Sequence, residues 1–245
     1  MCEPRFYRHW TDSNGLVSYE LKVQQTDLLI SSKHSLRDKA MRSVMKHRNS
    51  IEQYIKNHPI FLTTLIPYQA ESRAPIIIQD MVAASQLVGV GPMAAVAGSI
   101  AEAVGKDLLT FSEEVIIENG GDIYMKTSKK RIVGIYAGQS ALVRNIALEI
   151  APGDTPLGIC TSSGTIGHSL SFGNVDAVTV LSASTPLADA AATALGNIVN
   201  TADDIPRAIE KAKSIEGLRG VVIIIGDCIG LWGAIKLCRI AKNSR

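Results

Sequence analysis

From Ala83 to Leu109 the chain is dominated by Ala, Gly and Val around the sequence Gly89-Val90-Gly91. Small side chains permit close backbone approach, and Pro92 stands where a first helical turn tolerates it. The segment therefore predicts a helix on either side of the glycines. Aromatic residues are only 5% of the chain against 46% hydrophobic residues, so the core has to be built from Ala, Val, Ile and Leu. At 245 residues one large domain, or two intimately packed lobes, can bury such a core without disulfides or metal staples.

Elsewhere the periodicity alternates between strand and helix. Arg5 to Trp10 and Leu16 to Ile30 read as the strands of an opening hairpin around Asp12-Ser13-Asn14-Gly15, since Asn-Gly is a strong hairpin signal. Leu36, Ala40, Val44, Ile51 and Ile55 recur at helical spacing until His58-Pro59, which predicts one long amphipathic helix. Val115–Ile117, Ile123–Met125, Ile132–Tyr136 and Leu142–Ile150 read as a sheet meander, and Asp176–Ser182 as a further strand. Ala188–Val199 reads as an Ala-rich helix. Ile205 to Ile215 reads as a second helix, with Asp203 and Asp204 as candidate caps. Val221–Ile225 and Ala234–Ile240 close the chain as a hairpin joined by a Gly-rich loop in which Asp227 could approach a ligand and Trp232 cap a core edge. The fold class expected is α+β.

Charge narrows the function. The 25 basic and 23 acidic side chains leave a net charge of +2 and are well mixed, and the basic stretches Lys33–Arg48 and Lys126–Arg131 lack the interleaved aromatics of a base-stacking surface. They read as solvated faces rather than a nucleic-acid site. No apolar run reaches the roughly 18 to 20 residues of a membrane span, and Met1-Cys2-Glu3-Pro4-Arg5 is not a secretory leader. Cys2, Cys160, Cys228 and Cys238 show no CxxC spacing, as befits a reducing compartment. The expectation is a cytoplasmic protein.

Three segments could carry chemistry. Asn119-Gly120-Gly121-Asp122 follows an apolar strand; its glycines let the backbone reach a ligand, and the same residues favour a tight hairpin turn. Gly158 to Gly173 packs six hydroxyl side chains, four glycines and His168 into a stretch that reads as too polar for a core strand. Thr161-Ser162-Ser163-Gly164 within it suits a phosphate ester. Cys160 with His168 as its base would be a nucleophile pair if the fold brings them together, while His168 could equally hold the loop. Asp189 and Thr193 lie four apart, so their oxygens share one helix face; they could ligate Mg²⁺, or Asp189 could answer the helix dipole.

In order along the chain, these segments resemble the ApbE-like superfamily. Nearly the whole chain is similar to the branch designated uncharacterised protein family 0280. The resemblance rests on His58-Pro59-Ile60-Phe61, Val90-Gly91-Pro92-Met93-Ala94-Ala95-Val96-Ala97-Gly98, Glu118-Asn119-Gly120-Gly121-Asp122-Ile123, Cys160-Thr161-Ser162-Ser163-Gly164, Gly167-His168-Ser169-Leu170-Ser171-Phe172-Gly173 and Ala188-Asp189-Ala190-Ala191-Ala192-Thr193-Ala194. It implies an ApbE-like fold, with mixed or antiparallel sheets packed with helices. It further implies a flavin- or phosphate-containing small ligand (FAD or FMN), Mg²⁺ held by Asp189, Thr193 and the Ala94 carbonyl, and a homodimer. Asp189 and His168 become the candidate catalytic residues. Characterised relatives split FAD and attach FMN to a Thr or Ser hydroxyl of a target protein. Their Thr-Ser-Gly is followed by His-x-x-Asp-Pro, whereas no acid follows His168 here, and their N-terminal Met-Gly-Thr region has no clear counterpart. The same resemblance implies an alternative role as an accessory or carrier protein in sulfide assimilation into homocysteine.

Overall fold

The computed structural model describes residues 11, 13–135, 146–163 and 173–239. Both faces of the main sheet are apolar along most of its strands, so both must be covered. The strands are β1 (Val17–Val23), β2 (Thr26–Ser32), β3 (Val115–Asn119), β4 (Asp122–Lys126), β7 (Leu157–Ser162), β8 (Ala177–Ser182), β9 (Leu218–Ile225) and β10 (Cys228–Gly233), hydrogen-bonded in that order. Every pairing is antiparallel. A second, three-stranded antiparallel sheet joins β5 (Arg131–Gly134), β6 (Ile146–Ile150) and β11 (Leu237–Arg239) in the order β11-β6-β5.

Alternation along β3 shows how the layers form. Val115 and Ile117 pack under the helices, whereas Ile116 faces Val133, Leu148 and Ile150 of the small sheet. The helices are α1 (Arg37–Asn57), α2 (Ile60–Thr63), α3 (Ile76–Val88), α4 (Val96–Leu109), α5 (Thr185–Gly196) and α6 (Ile205–Lys213). A 3₁₀ turn at Pro92–Ala95 leads into α4. The α+β reading and the helix on each side of Gly89 are therefore both realised.

Several local expectations change. Leu16 to Ile30 is not one strand: it turns at Gln24-Gln25, where Gln24 adopts a positive φ of 51° and Val23 pairs with Thr26. Asn14-Gly15 does turn, with Leu16 N–H donating to the Ser13 carbonyl at 2.9 Å, while Arg5 to Trp10 lies outside the described residues. The meander divides, because β4 pairs with β7 and β5–β6 belong to the other sheet.

Gly158 to Ser162, expected to be too polar for the core, is part of central strand β7. Its small residues exist because α5 lies directly on it: a Cβ at Gly158 would come within 2.5 Å of Thr185 Cα. The Gly-rich loop after Ile225 is likewise strand β10, turned back by Gly226 at φ +57°. A Cβ at Gly230 would meet Ile205 of α6 at 2.2 Å. Trp232 lies in this strand, partly buried against the core.

Two electrostatic expectations also shift. Asp204 accepts the Asn200 and Thr201 N–H groups at 3.0 Å each, closing the turn before α6 rather than capping α6 itself. Arg131 is no solvated charge. It is 1% exposed, and its guanidinium donates to buried Glu114 at 3.0 Å and to the Thr127 hydroxyl at 3.1 Å.

Candidate active site at the α4–α5 seam

The β3–β4 hairpin ends in a two-residue turn. Gly120 and Gly121 both have positive φ, +68° and +112°, as a turn matched to strand twist requires. Asn119 and Asp122 thus face each other as the last pair. Asn119 donates its side-chain amide to the Ala97 carbonyl at 3.0 Å. Asp122, in register with Cys160 of β7, points inward and is buried.

Helix α5 begins with Ser184, whose hydroxyl accepts the Leu187 N–H at 3.4 Å, and Pro186 fits its first turn. One turn later Asp189 Oδ2 accepts the Gly98 N–H at 2.8 Å. That donor belongs to the first turn of α4, where N–H groups lack intrahelical acceptors. The relation is mutual, since Glu102 of α4 accepts the Thr185 N–H of α5 at 2.6 Å. Gly98 makes this seam possible: a Cβ there would sit 2.6 Å from the Thr185 carbonyl oxygen and 2.9 Å from Asp189 Cβ.

Lys106 meets the Glu102 charge at 2.6 Å, and the two aspartates titrate under other influences. Burial pushes the Asp122 carboxyl up to about 7, with the Cys160 thiol opposing and the Glu118 charge adding to the rise. Burial also holds Asp189 well above the usual carboxylate range; the Asp122 charge adds to this, and the Gly98 and Ala97 N–H groups oppose it. Burial and the same two carboxyls raise Cys160 far above an ordinary thiol. Its sulfur donates to the Thr185 carbonyl at 3.5 Å. A thiol so placed stays protonated at neutral pH, which removes the basis for a nucleophile here.

Along β7, Gly158 abuts Thr185 and Cys160 reaches Thr185 and Asp189. Alternation sends Ser162 to the same face of the sheet one step further along. Its hydroxyl is buried without a hydrogen-bond partner among the described residues, as is that of Thr185. Thr161 faces the other way and shares a 2.9 Å hydrogen bond with Thr179. Ser163 is partly exposed at the strand end.

Ala94 lies in the 3₁₀ turn one helical turn before Gly98, and Thr193 one turn after Asp189, both partly exposed. Gly164 and His168 lie outside the described residues. Of the residues singled out in the sequence, Asn119, Asp122 and Asp189 converge. Glu102 and Thr185 were not singled out, although the small-residue run containing Gly98 signalled a close helix contact.

A cavity of about 540 Å³ opens beside the seam. Ile51, Ile55, Met93, Val96 and Ile100 form its apolar wall, and Ala97 and Asn119 connect it to the acids. Gln24, Gln25 and Arg48 stand at its rim.

Among the described residues no group of three His, Cys, Asp or Glu side chains is arranged to hold a metal. Zinc-type cages need such a group. Mg²⁺ instead takes one or two carboxylates and fills its shell with carbonyls, water and ligand phosphates. Asp189, whose carboxyl feels the charge of Asp122, and Asp122 itself supply the one or two carboxylates that such a shell takes, a donor set that fits Mg²⁺.

A family model described as AbpE bacteria matches residues 8–231. A UPF0280 protein of Methanococcoides burtonii is 42% identical over 209 residues, covering 84% of this chain and 88% of the relative. One from Methanocaldococcus jannaschii is 41% identical over 202 residues, covering 80% and 82%. Among solved structures, the flavin transferase ApbE from Vibrio cholerae superposes with a TM-score of 0.59 at 11% identity, covering 89% of this chain and 96% of that one. The ApbE protein of Thermotoga maritima gives 0.56 at 10% identity, covering 90% and 96%. At such identities the likeness is one of fold. The antiparallel sheets and helical layer are thus an ApbE-type fold, and the chain belongs to the AbpE bacteria family, within the UPF0280 branch of the ApbE-like proteins.

Proposed function

We propose that this protein binds a flavin nucleotide with Mg²⁺ at the α4–α5 seam and acts as an FMN transferase. The observation that carries the reading is the Asp122–Asp189 pair, a buried carboxyl and a partly buried one whose charges interact beside a cavity. The V. cholerae structure's title as a flavin transferase supports the same direction.

Asp189 and Thr193, with the Ala94 carbonyl, would hold the cation, and Asp122 would face it from β4. Mg²⁺, when bound, would neutralise charge on a pyrophosphate. Ser162 would donate its hydroxyl to a phosphoryl oxygen, and Gly120-Gly121 would leave room for the ligand's approach. The Gly98 N–H fixes the Asp189 carboxylate, so it meets the cation in one orientation. The ring of the ligand would occupy the 540 Å³ cavity, whose apolar wall excludes water. In the transfer itself, an acceptor hydroxyl oxygen bonds to the FMN phosphorus while the P–O bond to AMP breaks, and the hydroxyl proton leaves to a base.

The test is incubation of the purified protein with FAD and Mg²⁺, followed by mass spectrometry for AMP, FMN and covalent flavin. Release of AMP by wild type, lost in Asp189→Asn, is the expected result. Bound flavin without any AMP would leave the carrier role, and equal behaviour of the two proteins would refute the metal assignment.

A further inference from the structure

Arg48 of α1 is held at the cavity rim by four acceptors. Its guanidinium donates to Thr26 Oγ1 at 2.6 Å, Gln24 Oε1 at 2.8 Å, Gln25 Oε1 at 3.1 Å and Glu52 Oε1 at 2.6 Å. A guanidinium can only donate. Both glutamine side chains must therefore turn their amide oxygens toward Arg48 and their NH₂ groups away from it. Those NH₂ groups have no acceptor among the described hydrogen bonds, and both residues line the cavity. The two-residue turn between Val23 and Thr26 places Gln24 in a left-handed conformation, φ 51°, as tight hairpin turns require.

The cavity therefore combines an aliphatic wall, from Ile51, Ile55 and Val96, with a rim of fixed amide donors. Such a lining matches a flat ring that is apolar at one end and carries carbonyl acceptors at the other. We propose that Gln24 and Gln25, oriented by Arg48, are the specificity-determining residues of this cavity and bind the pyrimidinedione edge of a ring such as that of flavin. This deepens the proposed function and rests on it for the identity of the ring. Because Arg48 cannot accept, the rim has one polarity built in: it offers N–H donors to the two carbonyls that flank the ring's N3–H.

The experiment uses two probes on the full chain. Riboflavin, which has the ring and no phosphate, reports the rim; Mg²⁺ with inorganic pyrophosphate reports Asp189. Gln24→Glu and Gln25→Glu, singly and together, keep an oxygen acceptor for Arg48 but replace the N–H donors with further acceptors. The double variant should bind riboflavin at least about tenfold more weakly, as for two lost hydrogen bonds, with an unchanged melting temperature and unchanged pyrophosphate binding. Equal riboflavin affinity in wild type and double variant, or no riboflavin binding by wild type, would overturn the proposal. Riboflavin binding that follows the glutamines while wild type ignores Mg²⁺–pyrophosphate would uphold the rim and sink the reading of Asp189.

Discussion

Asn119 and Asp189 hold opposite ends of one peptide group. The Ala97 carbonyl accepts the Asn119 amide at 3.0 Å, and the Gly98 N–H of that same peptide donates to Asp189 at 2.8 Å. A residue from the β3–β4 turn and a residue from α5 are thereby set relative to each other through a single rigid plane.

This arrangement separates two roles of Asp189. Asp189→Asn keeps an oxygen for Gly98 and should stay within about 1 kcal/mol of wild-type stability. Asp189→Ala leaves the buried donor unpaired and should cost about 1–3 kcal/mol. Both should lose Mg²⁺-dependent pyrophosphate binding. Urea unfolding with calorimetric titration checks this, and Mg²⁺ binding by the Asn variant would contradict it.

Asp122 predicts a pH dependence. Its ordinary value is 3.8 and its folded value about 7, so between these the native state binds more protons than the unfolded chain. Stability then falls as pH rises through that window, by about 1.4 kcal/mol per pH unit of displacement. Asp122→Asn should flatten this slope, and saturating Mg²⁺ should do the same to wild type. Denaturation midpoints at pH 4 to 8 without metal provide the measurement; a wild-type slope equal to the variant's would count against a raised Asp122 carboxyl.

Glu114 titrates in the opposite sense. Despite its burial, hydrogen bonds from Lys33, Ser128 and Thr127 hold its carboxyl well below the usual range, and Arg131 pairs with it at 3.0 Å. Its contribution is present above the unfolded value of 4.5 and declines as pH falls below it. Glu114→Gln removes the buried carboxylate that Arg131 and Lys33 both pair with, which should cost about 3–5 kcal/mol at pH 7 and progressively less at pH 3. Urea midpoints of the two proteins at both pH values decide the matter.

Ser162→Ala offers a dissociation of stability from binding. Removing a buried hydroxyl that has no partner among the described residues should stabilise the free protein by about 1 kcal/mol. The same change should weaken Mg²⁺–pyrophosphate binding about fivefold, the effect of one lost hydrogen bond. A destabilised variant would mean that the hydroxyl has a partner in the folded protein.

Helical periodicity made the long α1 legible almost to the residue, and Val115–Ile117 and Val221–Ile225 were marked by continuous apolar runs. What misled was the meaning of small and polar residues. Gly158, Cys160 and Ser162 have the composition of a loop, but a central strand beneath a helix at near-backbone contact requires that composition. Gly230 misleads in the same way under α6. The candidate site was readable as three separate segments, because each had a local signal. Its closure was not, since Glu102 meets Thr185 across 83 positions and nothing near either residue announces the other. Arg131 shows the converse limit: a charge in a basic run reads as solvated until its distant acid is known.

The Gly98 N–H, finally, gives the protein its own spectroscopic reporter. It is a single amide proton bonded to the carboxylate that would meet the cation, at the end of the peptide whose other end faces the cavity. Its NMR chemical shift and exchange rate should respond to Mg²⁺ through Asp189 and to a ring ligand through Asn119. One resonance would register both events and the order in which they occur.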